Sequence, residues 1–214
     1  MFVTGTGTEV GKTVVAAVIA RSLAASGKRV AVFKPALTGL EEPGEPDHAL
    51  LRRAAGSEQS DEEIAPYRYG PSASPHLAAK LAGEQIEPQH LLRAARHAAE
   101  GADALVCEGV GGLLVPLAPG YLVRDLAVEL ALPLVIAASP GLGTINHTLL
   151  TIEATRTAGL EVNVVVLTPW PTEPSRIEQS NRETIESLGE VRVKALPLLD
   201  LTEPGSWPKL PLSR

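Results

Sequence analysis

Cysteine is almost absent from this chain. Cys107 is the single one, so no internal disulfide can form and no cysteine metal cluster can assemble. Dense runs of Lys or Arg are also missing, and the net charge is -6 with an isoelectric point near 5.4. A nucleic-acid binder ordinarily carries a basic stripe, so nucleic acid is not an expected partner. Long apolar runs are lacking too. The most apolar later stretch, Leu126 to Ala138, is broken by Glu129 and Pro133 and falls short of the ~20 residues a membrane helix needs. Met1, Phe2, Val3 and Thr4 run straight into a glycine-rich turn, without the basic region and apolar stretch of a signal peptide. Together these absences point to the cytoplasm and away from membranes.

What remains is an ordinary globular balance. The 214 residues are 44% apolar and 21% charged, enough for one domain, 1–214, with a buried sheet. No internal repeat or low-complexity linker divides it. Short apolar runs alternate with helical patterns, which predicts an α/β fold: a parallel sheet flanked by helices on both faces. Strands are expected at Met1 to Thr4, Arg29 to Lys34, Ala104 to Cys107, Leu134 to Ala138, Val162 to Leu167 and Val191 to Leu196. Val14, Val15, Val18, Ile19 and Leu23 recur at helical spacing, and Gly27 supplies a stop. Further helices are expected near Thr144 to Ala158 and Ser175 to Ser187. Ser74-Pro75 reads as a helix start. Glu41 to Pro46, acidic and with two prolines, reads as a loop. The proline-rich tail, 203–214, is expected to lie irregular on the surface.

The strongest signal is Gly5-Thr6-Gly7-Thr8-Glu9-Val10-Gly11-Lys12-Thr13, between a strand and a helix. That context is what a phosphate loop requires. Glycine lets the backbone approach phosphate closely, and the N–H groups at the helix start face the anion. Lys12 would neutralise β/γ-phosphate charge, and Thr13 would place a hydroxyl on Mg²⁺. The common pattern wants glycine five residues before Gly11. That position holds Thr6 and the glycine stands at Gly5, so the loop is one residue longer. A dinucleotide fingerprint fails, because Val10 stands where its third glycine should be and the second strand ends in Lys34 rather than an acid.

A second constellation is Ala104-Leu105-Val106-Cys107-Glu108 followed by Gly109-Val110-Gly111-Gly112. A carboxylate at the end of a parallel strand lies on the ligand edge of such a sheet and could hold Mg²⁺ opposite a phosphate loop. Taken alone, an acid after a strand is more often a solvated turn residue, but beside this loop the metal reading of Glu108 is favoured. Asp47 has two readings as well, a metal ligand or a helix N-cap before His48. Gly143-Thr144-Ile145-Asn146 opens a helix whose free N–H groups could take a carboxylate, or is a glycine loop capped by Thr144. Trp170, between Pro169 and Pro171, is a packing residue or a wall for a nucleotide base.

Thr8-Glu9-Val10-Gly11-Lys12-Thr13, Lys34-Pro35 with Thr38-Gly39, Ser74-Pro75-His76, Glu108-Gly109-Val110-Gly111-Gly112 and Gly143-Thr144-Ile145-Asn146-His147 occur in order and spacing that resemble the dethiobiotin synthetase family, from Met1 to Pro197. The longer phosphate loop is part of that family's pattern. The resemblance implies an ATP- and Mg²⁺-dependent ring closure in which 7,8-diaminononanoate and CO₂ (or bicarbonate) give dethiobiotin through a carbamate and a carbamic-phosphoric anhydride. By resemblance, Thr8 and Lys12 contact carbamate and phosphates, and Lys34 balances developing charge. Nucleotide is held by Thr8, Glu9, Val10, Gly11, Lys12 and Thr13, with Thr168 and Pro197 near the base. Substrate is held by Thr8, Lys34, Thr38 and Gly111, and by Gly143, Thr144 and Asn146 of the other subunit of a homodimer. Thr13, Asp47 and Glu108 would hold Mg²⁺. One departure stands out. After the fifth strand the family commonly places an asparagine that reads adenine, whereas this chain has Thr168-Pro169. Triphosphates other than ATP are therefore expected to serve.

Partitioning-type ATPase switches are the main rival reading. They place a second lysine five residues before the loop lysine, where this chain has Gly7. A cobyrinate amidotransferase would need a cysteine nucleophile, and Cys107 sits in an expected buried strand. A nucleotide-binding module without chemistry would not release phosphate in response to a diamine.

Overall fold

The computed structural model describes residues 1–210. In chain order the elements are β1 (Phe2–Gly5), α1 (Lys12–Ala24), β2 (Val30–Phe33), β3 (Ala36–Leu37), α2 (Asp47–Ala55) and the single turn α3 (Asp61–Ile64). Next come β4 (Tyr67–Arg68), α4 (Pro75–Leu81), α5 (Pro88–Ala98), β5 (Ala104–Gly112), β6 (Pro116–Ala118), β7 (Tyr121–Leu122) and α6 (Val123–Leu130). The last third holds β8 (Leu134–Ala138), α7 (Thr144–Thr157), β9 (Val162–Trp170), α8 (Arg176–Gly189) and β10 (Val193–Pro197).

Six strands form one parallel sheet in the order β10-β9-β8-β1-β5-β2. From β1 the chain goes outward to β2, returns through β5, then crosses β1 to β8 and steps out to β9 and β10. The order therefore reverses at β1. In open α/β sheets the crevice at such a reversal, beyond the carboxyl ends of the strands, is where ligands bind. The phosphate loop leaves β1 at that point.

Both faces of the sheet are covered, as the continuous apolar runs predict. Val3, Val32, Val106, Val135 and Val164 face a core built with Val15, Val18 and Ile19 of α1 and Leu50, Leu51 and Ala54 of α2. The alternate residues Phe2, Phe33, Cys107 and Leu134 face the opposite side against α4, α5 and α6. On that same side Ile136, Val165 and Leu167 meet Ile152 of α7 and Ile185 of α8. The period of two along each strand thus separates the cores.

Two expectations fail here. Beyond Glu203 the tail does not simply lie irregular on the surface: Pro204–Ser206 make a short 3₁₀ turn, and Trp207 and Leu210 are buried in the α1 core. Trp207 Nε1 donates to the Asp200 carbonyl at 2.7 Å, and the Leu210 amide donates to Ser22 Oγ on α1 at 3.1 Å. The physical reason is the apolar payload, since burying a large apolar side chain is worth about 1.5–3 kcal/mol. Residues 211–214 of the expected tail lie outside the described residues. In addition, β5 does not stop at Cys107 but continues through Gly112, with Gly112 opposite Gly5 of β1. Glu108 is therefore a strand residue opposite Val3, not a solvated turn residue.

Candidate active site

The loop between β1 and α1 is held in a shape that few residues permit. Gly11 caps α1 at φ +83°, and a Cβ there would lie 2.5 Å from Thr168 Cγ2. A Cβ at Gly5 would lie 2.7 Å from Val10 Cγ2 and 2.9 Å from Lys12 Cγ. Both side chains fold back over Gly5, which is why glycine stands there although it is one place from the common position. Glu9 takes a left-handed conformation at φ +59°. For a residue with a Cβ that costs about 1–2 kcal/mol, and such strain persists where surrounding structure fixes it, commonly at functional sites. Lys12 Nζ donates to the Gly7 carbonyl at 2.7 Å, so the ammonium sits inside the curl of the loop.

Beside the loop opens a polar cavity of about 500 Å³. Thr8, Glu9, Gly11, Lys12 and Thr13 line it from the loop, Lys34 and Thr38 from the far ends of β2 and β3, Asp47 from α2, and Glu108 and Gly111 from β5. Its floor is a charged cluster. Lys34 Nζ donates to Glu108 Oε1 at 2.7 Å and to Asp47 Oδ2 at 2.5 Å. Thr13 Oγ1 donates to the same Glu108 oxygen at 2.9 Å. Lys34 and Glu108 are buried, and a buried charge is tolerated only when paired in this way.

The electrostatics follow from burial and pairing. Burial alone would lower the Lys34 pKa, but Glu108 and Asp47 outweigh it and hold it above the usual lysine value. Burial would raise Asp47, yet the Lys34 ammonium keeps that carboxyl below its usual range. For the fully enclosed Glu108, burial prevails over Lys34 and raises the pKa. Lys12 is lowered by burial, opposed by Glu108 and lowered further by Lys34. Two lysines and two carboxylates therefore share one desolvated floor, where a bound polyanion would meet strong fields.

Of the two readings of Asp47, the helix N-cap falls away. Pro46 occupies the N-cap of α2, Asp47 is the first helical residue, and its carboxylate turns to Lys34 rather than capping. Thr144 does not cap α7 either: Gly143 takes the N-cap at φ +90°, with no side-chain cap. The Thr144 hydroxyl is buried, 3.4 Å from that of Thr148. Asn146 is exposed, and neighbouring Leu142 is 96% exposed. Gly143, Thr144 and Asn146 stand outside the polar cavity. Thr168 is buried beneath Gly11, and Pro197 is exposed opposite Trp170 at the ends of β10 and β9; neither lines the cavity. Val10 packs against the α1 core. Trp170 packs with the α7–α8 core, and the Arg182 guanidinium carbon lies 6.0 Å from its ring centre. Glu42, Ser72 and Leu201 also line the cavity and were not foreseen. Only the acidic run at 41–45 offered a signal for any of them.

A second space lies on the other side of the loop. This groove, about 450 Å³, runs along Gly5 to Thr8, Gly112 to Val115, and His147, Leu150, Thr151 and Ala154 of α7. Its walls are largely apolar, with Leu114 54% and Leu150 55% exposed. Thr8 lines both spaces.

A parallel sheet with a glycine-rich loop after its central strand, and a lysine at the helix start, defines a P-loop nucleotide-binding protein. Solved structures agree on the fold. A ParA family ATPase from Chlorobium tepidum superposes with a TM-score of 0.58 over 92% of this chain and 83% of its own, at 16% identity. The septum site-determining protein MinD from Pyrococcus horikoshii, complexed with Mg-ADP, gives 0.54 over 92% and 80%, at 13% identity. A family model described as an AAA domain matches residues 1–204. Sequence relatives are more specific. The ATP-dependent dethiobiotin synthetase BioD of Rhodococcus erythropolis is 43% identical over 206 residues, 95% of this chain and 88% of the relative. The BioD of Bacillus subtilis strain 168 is 35% identical over 94% of this chain and 85% of its own length. That of Anaeromyxobacter dehalogenans strain 2CP-1 is 45% identical over 78% and 75%. The chain belongs to the dethiobiotin synthetase family.

Proposed function

We propose that this chain carries out the ATP-dependent closure of a ureido ring on 7,8-diaminononanoate, giving dethiobiotin for biotin synthesis. The observation that carries the reading is the bonded cluster of buried Lys34 and Glu108 with the partly exposed Asp47 and Thr13, beside Lys12 at the mouth of the phosphate loop. One amine of the substrate adds to CO₂, forming a C–N bond and losing a proton, which gives a carbamate. A carbamate oxygen attacks the γ-phosphorus, the bond to the β-phosphate bridging oxygen breaks, and ADP leaves. The second amine attacks the resulting carbamic-phosphoric anhydride at carbon. The C–O bond breaks, phosphate leaves, the amine loses its proton, and the ring is closed. Each step needs positioning and neutralisation of charge rather than a protein nucleophile. Lys12 and Lys34 supply positive charge where the transferring phosphoryl group and carbamate become more negative. Thr8, which lines both spaces, is placed to meet the carbamate, and Thr38 offers a hydroxyl on the same rim.

Magnesium belongs to this chemistry, and the residues present fit it. Glu108 Oε2 is buried with no hydrogen-bond partner among the described residues, while Oε1 already meets Thr13 and Lys34. Mg²⁺ favours carboxylate and hydroxyl oxygen and keeps several waters, so two carboxylates and a threonine suffice. Thr13, Asp47 and Glu108 would hold it, and when bound it neutralises charge between the β- and γ-phosphates. The apolar groove suits the alkyl chain of the diamino acid. Its open, partly exposed leucines and the uncapped start of α7 support a homodimer in which Gly143, Thr144 and Asn146 of one copy receive the carboxylate bound at the loop of the other. A cytoplasmic location accords with the composition. Incubating purified protein with diaminononanoate, bicarbonate, Mg²⁺ and ATP and weighing the product tests the reading: dethiobiotin is expected, and unchanged diamine would refute it.

A further inference from the structure

Lys34 follows an edge strand of the sheet. β2 stands at the edge, paired only with β5, so one side of its backbone lacks a neighbouring strand. An open edge leaves backbone donors and acceptors without a strand to meet them. Here that side is closed by a side chain. The Val32 amide donates to Gln59 Oε1 at 2.8 Å, and Gln59 Nε2 donates to the Val32 carbonyl at 3.1 Å. The carboxamide thus makes both bonds that a neighbouring strand would make to this residue. Gln59 is itself held by Ser57, whose hydroxyl donates to Oε1 at 3.0 Å and accepts from the Gln59 amide at 3.2 Å. Two residues further on, the Lys34 amide donates to the Ile64 carbonyl at 2.8 Å.

We propose that Gln59 is a positioning residue for Lys34. Its amide stands in for the missing strand and fixes the end of β2, so that the Lys34 ammonium stays between Asp47 and Glu108. Val30, Val32 and Lys34 alternate onto the face that carries α1, whereas Phe33 points to the opposite core. Lys34 stands two residues beyond Val32, just past the end of β2, so any drift of this strand end carries the ammonium with it. Ser57 and Gln59 lie in a loop that contributes no residue to the cavity, so their action on chemistry passes through β2. The inference rests on Lys34 acting at the transferring phosphate, as set out above.

A double-mutant cycle tests it, with kcat and the KM for ATP measured on wild type, Gln59→Leu, Gln59→Glu, Lys34→Ala and Gln59→Leu combined with Lys34→Ala. Gln59→Leu should lower kcat about tenfold, the scale of a modest misplacement, with the KM for ATP unchanged within about twofold. Gln59→Glu keeps the length and the acceptor but loses the donor, and should fall between wild type and Gln59→Leu. In the Lys34→Ala background Gln59→Leu should cost nothing further, because the group it positions is gone. An unchanged kcat in Gln59→Leu, or a full additional loss in the Lys34→Ala background, would overturn the proposal. Should Gln59→Leu fail to fold, the same cycle run with Gln59→Glu decides it by the same criterion. A Lys34→Ala enzyme at the wild-type rate would instead remove the reading of Lys34 on which the inference stands.

Discussion

On one side of Thr8 the floor of the cavity is charged and already bonded: buried Lys34 bridges buried Glu108 and the partly exposed Asp47, and Thr13 completes the set. On the other side the groove is apolar and open, walled by Leu114 and Leu150 that are more than half exposed. The first space is finished by one chain. Its groups come from the end of β2, the middle of β5 and the starts of α1 and α2, so regular elements fix the charges. The second offers surface and little polarity, and the helix start read as its carboxylate receiver, Gly143 to Asn146, lies outside the polar cavity. On the proposed function a preorganised charge site and an open apolar one would divide the work: the charged floor would meet the triphosphate, and a second copy would complete the apolar surface that takes the diamino acid.

The sharpest way to break this contrast is to remove charge from the finished side. Lys12→Ala and Lys34→Ala should each slow turnover by about a hundredfold or more, as loss of a preorganised charge partner does. Steady-state rates on protein checked for native circular dichroism measure this, and a wild-type rate in either variant would end the assignment. A milder change is Glu108→Gln, which keeps shape and removes charge. The Mg²⁺ concentration for half-maximal rate should rise by roughly tenfold, since hard cations prefer carboxylate oxygen. An unchanged titration moves Glu108 out of the metal site.

The open side is probed by mixing. Subunits carrying Lys12→Ala and subunits carrying Thr144→Ala with Asn146→Ala are each expected to be nearly inactive as separate dimers. After exchange, half the dimers are mixed and each keeps one intact site of two, so roughly a quarter of wild-type activity should return. No recovery, with heterodimers demonstrated by native mass spectrometry, would place the whole site within one chain. The smallest effect concerns the base. Thr168 cannot offer the paired donor and acceptor of an amide, a contact worth about 1–3 kcal/mol of discrimination in base reading elsewhere. Thr168 is moreover buried under Gly11, away from the cavity. Values of kcat/KM for ATP, CTP and GTP should therefore differ by much less than ~thousandfold, and a larger preference would need over 4 kcal/mol of base reading from elsewhere.

Much of the finished side was legible in the sequence, because its determinants are local. The glycine pattern from Gly5 to Gly11, Lys34 at a strand end and Glu108 after an apolar run each report a backbone position directly. The strand runs Leu134 to Ala138 and Val162 to Leu167 were visible from their apolar continuity. Features fixed by distant contacts were not legible. The Asp47 carboxylate is claimed by Lys34, thirteen residues away, so no local capping rule could settle it. Strand β5 persists through Gly109 to Gly112 because β1 and the loop pack against it, although glycine alone signals a turn. Trp207 and Leu210 dock on α1 across nearly the whole chain, which a proline-rich composition conceals. Gln59 shows no periodicity at all, since its role depends on an edge that exists only once the sheet is assembled.

On the proposed function, phosphate transfer beside Lys12 is committed to a diamino acid lying in the apolar groove. It is tested most directly by measuring ADP release with and without 7,8-diaminononanoate, using ¹³C-labelled bicarbonate and following product mass. Negligible ADP release is expected without the diamine, and one ADP for each dethiobiotin formed, with the label in the ureido carbon. ADP release that ignores the diamine, with no labelled ring formed, would contradict it.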